Sequence, residues 1–159
     1  MNRQTEIKWG VVWPTSMFLF LCFEYYAGLQ QPPNLEWGVI VDSIGGLGLP
    51  LLVFFLGLRQ KRDQDFDGTM SWKDGFVSGL LITAVALPLS LLLVWAFLTF
   101  VNPAYFDTMI DYSVATGYST EEDARAYFSM KSYLTQTAIV TALFGVVLSA
   151  IFAFLYKTK

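Results

Sequence analysis

A chain of 159 residues that is 55% apolar and only 14% charged has too few charges to cover a soluble domain, which carries about 25%. Its net charge of −3 excludes the basic stripe that nucleic acid selects. With no histidine and one cysteine, Cys22, the chain lacks the inventory for Cys/His zinc sites, histidine-ligated haem, Ser-His-Asp triads and intrachain disulfides, and no cofactor is expected.

A bilayer core about 30 Å thick needs about 20 apolar residues of helix. In chain order, the first such run is 9–28, "WGVVWPTSMFLFLCFEYYAG". No small-residue cleavage site follows it, so it reads as a retained span rather than a signal peptide. "LQQPPNLE" follows, and Pro32 and Pro33 break the helix into a tight hairpin. The second run, 37–58, is interrupted by Gly45, Gly46, Gly48 and Pro50, residues that membrane helices tolerate. Its "SIGGLGLP" lacks the Lys-Ser/Thr ending of a phosphate loop and is expected to serve close packing or a kink.

A charged loop is expected at 59–75. It holds four basic residues, Arg59, Lys61, Arg62 and Lys73, and four acidic ones, Asp63, Asp65, Asp67 and Asp74. The alternation of Asp63, Asp65 and Asp67 before Gly68 echoes part of a calcium loop, but an EF-hand would place Glu where Asp74 stands. Asp67-Gly68 is a turn signal.

The third run covers 76–101 and the fourth 133–156. Between them lies an outer connection, 102–132, expected to be helical. Asn102 and Pro103 suit an N-cap and first helical position. Tyr105, Phe106, Met109, Ile110 and Tyr112 share one face against Asp107, Thr108 and Asp111, an amphipathic pattern of helix lying at the interface or on the bundle. Gly117 ends it, Ser119 and Glu122 suggest a capping box, and no breaker separates the next helix from the fourth span, so one helix from about 120 to about 156 is expected.

With four spans, Arg3, Lys8, Arg59, Lys61, Arg62, Lys73, Lys157 and Lys159 fall on one side and Arg125 and Lys131 on the other. The excess of basic residues marks the cytoplasmic side, so both termini are expected there. The fold expected is an all-α, four-helix membrane bundle with an outer amphipathic helix.

Two carboxylates, Glu24 and Asp42, fall inside spans, each nine positions from Pro33 and therefore at similar depth. Intramembrane carboxylates invite a functional reading; facing each other they can share a proton, bind a cation or pair with Arg125 or Lys131. The plainer reading is that both reach headgroup water. Small residues recur every four positions at Thr137, Thr141, Gly145, Ser149 and Ala153, and Gly75 and Gly79 repeat the spacing. This is expected to pack helices within the chain's own bundle, with homo-oligomerisation the alternative.

"GLRQKRD", "DGTMSWKDGFVSGLLIT" and the later Asn-Pro-x-Tyr-Phe resemble the domain-of-unknown-function family 4199, small bacterial membrane proteins found mainly in Bacteroidota. The resemblance falls on Arg62, Asp63, Gly68, Ser71, Trp72, Gly79, Pro103 and Phe106, with Trp72 where phenylalanine is commoner. It implies the four-span topology and an inner-membrane location and carries no activity. The expected function is a non-enzymatic integral membrane protein, an accessory or structural component of a membrane assembly; the alternative is a small transport or ion-coupled protein using Glu24 and Asp42. The expected partners are the lipid bilayer and a membrane protein or second copy, with no nucleic acid.

Overall fold

The computed structural model describes residues 3–158; Lys159, one of the basic residues counted above, lies outside them. The described chain is all-helical: α1 (Gln4–Tyr26), α2 (Leu35–Asp65), α3 (Trp72–Ala96) with a π-helical continuation (Phe97–Val101), α4 (Tyr105–Ala115), α5 (Glu121–Tyr127) and α6 (Met130–Tyr156). Three helices, α2, α3 with its π turn, and α6, are long and apolar enough to cross a membrane. They turn Ile44, Leu52, Leu92, Val147 and Phe154 outward, the distribution lipid favours, and they mark the chain as a membrane protein. The 23-residue α1 packs beside them as a fourth long helix.

The α3–α6 seam is the most extensive helix contact, and small residues let the two helices approach closely. A Cβ added to Gly75 would stand 3.0 Å from Ala153 Cβ, one on Gly79 3.0 Å from Ser149 Cα, and one on Gly145 2.2 Å from Thr83 Oγ1. Gly75, Gly79 and Thr83 thus pair in antiparallel register with Ala153, Ser149 and Gly145, and the small-residue ladder is used inside the chain. Without a hydrophobic force between helices in lipid, such close approach is what supplies dispersion attraction.

The apolar core lies towards the end of the bundle that holds the termini. Trp13, Val53, Phe54, Leu58, Ile82, Ala86, Leu148 and Phe152 are buried together, with Trp13 and Phe54 edge-to-face at 5.5 Å.

That end is also closed by polar contacts. Lys61, fully buried on α2, bonds both oxygens of Glu6 on α1 at 2.9 and 3.0 Å and Asp65 at 2.7 Å. Thr5 donates to Asp65 at 3.0 Å, and Arg3 lies 3.4 Å from Glu6. Thr158 N–H donates to the Met70 carbonyl and its hydroxyl accepts from Met70 N–H, both at 2.9 Å. The start of the described chain is thereby tied to the last turn of α2 and its end to the segment joining α2 and α3.

Several expected boundaries move. The charged segment 59–75 is mostly helix, since α2 runs on to Asp65 and only 66–71 is irregular. The i, i+4 pair Lys61–Asp65 and the Glu6 partner stabilise this extension. Gly68, at φ +80°, ends α2 by donating to the Arg62 carbonyl at 2.9 Å.

The single helix from 120 to 156 is in fact two. Phe128 leaves helical geometry at ψ 70°, and Ser129 caps α6 by accepting from Ser132 N–H; serine at that position was the missed stop signal. The α5 cap is Thr120 paired with Asp123 rather than Ser119 with Glu122. Asn102 caps no helix: α4 begins at Tyr105, Pro103 sits in an exposed turn, and the Asn102 side chain is buried elsewhere.

Candidate functional site

At the opposite end, the helices do not close. Phe55 of α2 meets Phe152 and Tyr156 of α6 towards the core end. From there towards α4 and α5, a crevice of about 500 Å³ separates α2 from α6, floored by α1 and α3. Tyr105 and Met109 of α4, with Tyr127 and Phe128, form its outer rim. Along α6 it runs from Tyr133 to Phe144, about 16 Å at helical rise. The volume falls within the range of small-molecule sites.

The α2 wall is shaped by the glycine-rich stretch. Gly45 admits the Phe20 ring, which a Cβ would meet at 2.2 Å, whereas Gly46 has open space where its Cβ would be. Pro50 has no N–H, so the Gly46 carbonyl loses its intrahelical donor. Gly46 and Pro50 both line the crevice.

Glu24 and Asp42 both lie at the end of the crevice nearest α4. A chamber of about 60 Å³ adjoins it, lined by Glu24, Gln30, Asp42, Tyr105 and Tyr133 among others. Asp42 lines both spaces and is exposed to the crevice. Glu24 is 2% exposed. Its Oε2 accepts a long bond from Gln30 Nε2 at 3.5 Å, and its Oε1 has no hydrogen-bond partner. The equal depth read from the sequence therefore does bring the two acids to one place. The expectation that both reach headgroup water fails for Glu24, which lies beneath the α1–α2 turn and the π segment.

Gln30 joins Glu24 to Asn102, the residue that follows the π segment. Asn102 donates to Gln30 Oε1 at 2.9 Å, and Gln30 Nε2 also reaches the Leu21 carbonyl at 3.4 Å. The π turn makes this contact available: Asn102 N–H bonds the Phe97 carbonyl at 2.9 Å, which shifts the residue that follows α3 inward. Tyr105 and Tyr133 share a hydrogen bond at 3.1 Å at the chamber wall. Burial raises the Tyr105 phenol above its usual range, so it keeps its proton and can donate.

Among the described residues, no lysine or arginine lines either space. Arg125 is exposed and pairs with Glu121 at 2.9 Å, and Lys131 is exposed and lines neither space. The pairing of Glu24 or Asp42 with these cations, one of the sequence readings, is not formed.

The residues carrying the family resemblance sit elsewhere and hold the frame. Arg62 pairs with Asp63 at 2.7 Å and lies over the Tyr156 ring at 5.3 Å. Ser71 caps α3 by accepting from Asp74 N–H. Trp72 stacks on Phe76 at 4.9 Å and donates to the Ala150 carbonyl at 3.3 Å. Gly79 is in the α3–α6 seam, and Phe106 packs on Tyr133 at the rim. Asp63 and Asp65 turn to different cations, and among the described residues no group of three acids or thiols converges as a metal site.

Gln30, Asn102, Tyr105 and Tyr133 were not singled out as site residues from sequence. Asn102 reads from sequence as a cap, and a polar residue at each edge of the apolar runs is the signal that marks Gln30 and Asn102.

The chain belongs to the family described as protein of unknown function (DUF4199), which it matches over residues 8–158. No curated protein and no solved structure matches it.

Proposed function

We propose that this DUF4199 protein is a four-span, non-enzymatic protein of the bacterial inner membrane that holds a small molecule in the crevice between α2 and α6. The observation that carries this reading is an apolar crevice of about 500 Å³ ending at two carboxylates, one with an unpartnered oxygen. A purely structural bundle gains dispersion energy by closing such a space, and it has no need of an unsatisfied buried acid. The role is that of a carrier or ligand-binding component of a membrane assembly, with Glu24 and Asp42 at the polar end of the site. An accessory subunit that acts only by contact with another protein is the competing role.

In the proposed topology α1 is the fourth span: its 23 residues measure about 34 Å at helical rise. Both termini and the segment 66–71 lie in the cytoplasm, where the basic residues concentrate. The hydrogen bonds that join Thr5 to Asp65 at the end of α2 and Thr158 to Met70 just beyond it support a common side.

Two measurements test the reading. In a Cys22→Ser background, an impermeant maleimide applied to spheroplasts is expected to label a cysteine at Glu122 and to label one at Gln64 only after lysis; the reverse pattern overturns the topology. Protein in nanodiscs, extracted and compared by mass spectrometry with empty nanodiscs, is expected to carry an enriched small molecule that the crevice-filling Gly46→Phe variant loses. No enrichment, with a stoichiometric protein partner in a pull-down, favours the accessory role.

A further inference from the structure

The crevice has two parts of different chemistry, and together they specify a class of ligand. The larger part is walled by Trp13, Met17, Phe18, Leu93, Val140 and Phe144, which accept an apolar body. The small chamber at its outer end holds about 60 Å³, room for one small polar head; a water's share of liquid volume is about 30 Å³. Its polar groups are acidic or neutral, and among the described residues no basic side chain lines either part.

Glu24 is the group that calls for a ligand. It is buried to 2% exposure, and Oε1 has no partner while Oε2 has only the long bond to Gln30. A buried carboxylate oxygen without a donor is strongly unfavourable. Gln30 has both amide hydrogens committed, at 3.4 and 3.5 Å to the Leu21 carbonyl and to Glu24. The chamber is the side from which a donor can reach Oε1, and Asp42 is the second acid there.

We propose that the site binds a lipophilic ammonium compound, its cationic head between Glu24 Oε1 and Asp42 and its apolar body along the crevice towards Trp13 and Phe144. This rests on the ligand-binding reading above and sharpens it. An ammonium supplies several N–H donors and a positive charge in one small group. A bare metal cation fits less well, since the chamber offers only two carboxylates and an adjoining apolar space that an ion would not use. The open side between α2 and α6 gives such an amphiphile a route from the bilayer, with the head entering at the level of Asp42.

The test is equilibrium binding of radiolabelled decylammonium to the full chain in nanodiscs, with empty nanodiscs subtracted. Decanol, of equal chain length, and methylammonium, of equal head, serve as controls. Decylammonium is expected to bind saturably, and Asp42→Asn and Glu24→Gln are each expected to weaken it about tenfold, the effect of losing one charge-assisted bond. Gly46→Phe, whose Cβ has no heavy atom within 4 Å and whose ring then occupies the crevice, is expected to abolish binding. Asp42 is exposed to the crevice, so its variant folds even if the Glu24 one does not.

Decanol binding as tightly as decylammonium, with the carboxamide variants unchanged and Gly46→Phe still blocking, overturns the ammonium assignment and leaves the crevice as a site. Methylammonium binding as tightly as decylammonium overturns the two-part site. No Gly46→Phe-sensitive binding of either long-chain compound overturns the ammonium proposal; the ligand-binding reading then stands or falls on the small-molecule extraction.

Discussion

The two ends of the helical bundle each bury carboxylates, and they treat them in opposite ways. At the end that holds the termini, Lys61 reaches both Glu6 oxygens and Asp65, and Thr5 adds a further donor. At the other, Glu24 retains an oxygen with no donor, Asp42 opens to a crevice, and neither meets a cation. A buried ion pair can contribute little net stability, yet it strongly penalises loss of one partner. An acid left without its counter-charge is instead positioned to take one from outside. The first end is a clamp, and the second is a receptor.

The largest effect should come from breaking the clamp. Lys61→Met leaves Glu6 only the longer contact with Arg3 at 3.4 Å and takes the lysine from Asp65, and it is expected to destabilise the protein by about 3–5 kcal/mol, read as a drop in the unfolding midpoint in detergent. Combining it with Glu6→Gln and Asp65→Asn is expected to restore most of the loss, because no uncompensated charge then remains. If the single variant is as stable as the parent, the clamp is not one.

Next is the seam on which both ends depend. Gly79→Val drives side-chain atoms against Ser149 and is expected to destabilise by about 1–3 kcal/mol, visible in the same unfolding assay. The exposed Gly48, with nothing near its Cβ, should accept alanine with no loss.

At the receptor end the same assay should read little. Glu24→Gln keeps an acceptor for Gln30 and removes an unpaired charge, so stability is expected to change by less than about 1 kcal/mol while binding of the decylammonium probe falls. A destabilisation as large as that of Lys61→Met would erase the contrast between the two ends. Smallest of all, Arg125→Ala removes an exposed i, i+4 pair with Glu121 and should leave no measurable change in the midpoint.

Much of the architecture was legible because lipid imposes simple demands. Four apolar runs became the four long helices, the amphipathic pattern of 105–112 became α4 resting its aromatic face on the bundle, and Gly68 and Gly117 took left-handed geometry. What misled was local polarity read without partners. The segment 59–75 looked like a solvated loop, yet Lys61 is among the most buried side chains. Asn102 had the residue type and the following proline of a cap, but the π turn carried it inward to Gln30. Thr120 displaced the expected Ser119 cap, since neighbouring hydroxyl residues compete for one role, and Ser129 began a new helix where one continuous helix was expected; only the path of the chain decides.

By itself, then, the sequence determined the class of environment, the number of long helices, the packing of small residues at four-residue spacing and the equal depth of Glu24 and Asp42. These follow from composition and periodicity, which act along one helix at a time. Only the tertiary structure decided which carboxylates would meet a cation. That depends on helices distant in sequence: α1 and α2 bring Glu6 to Lys61 across 55 residues, whereas α2 and α6 part before Asp42 and leave the crevice. Side-chain charge is set by residue type, but whether a charge is satisfied is set by what the fold places within about 3 Å of it.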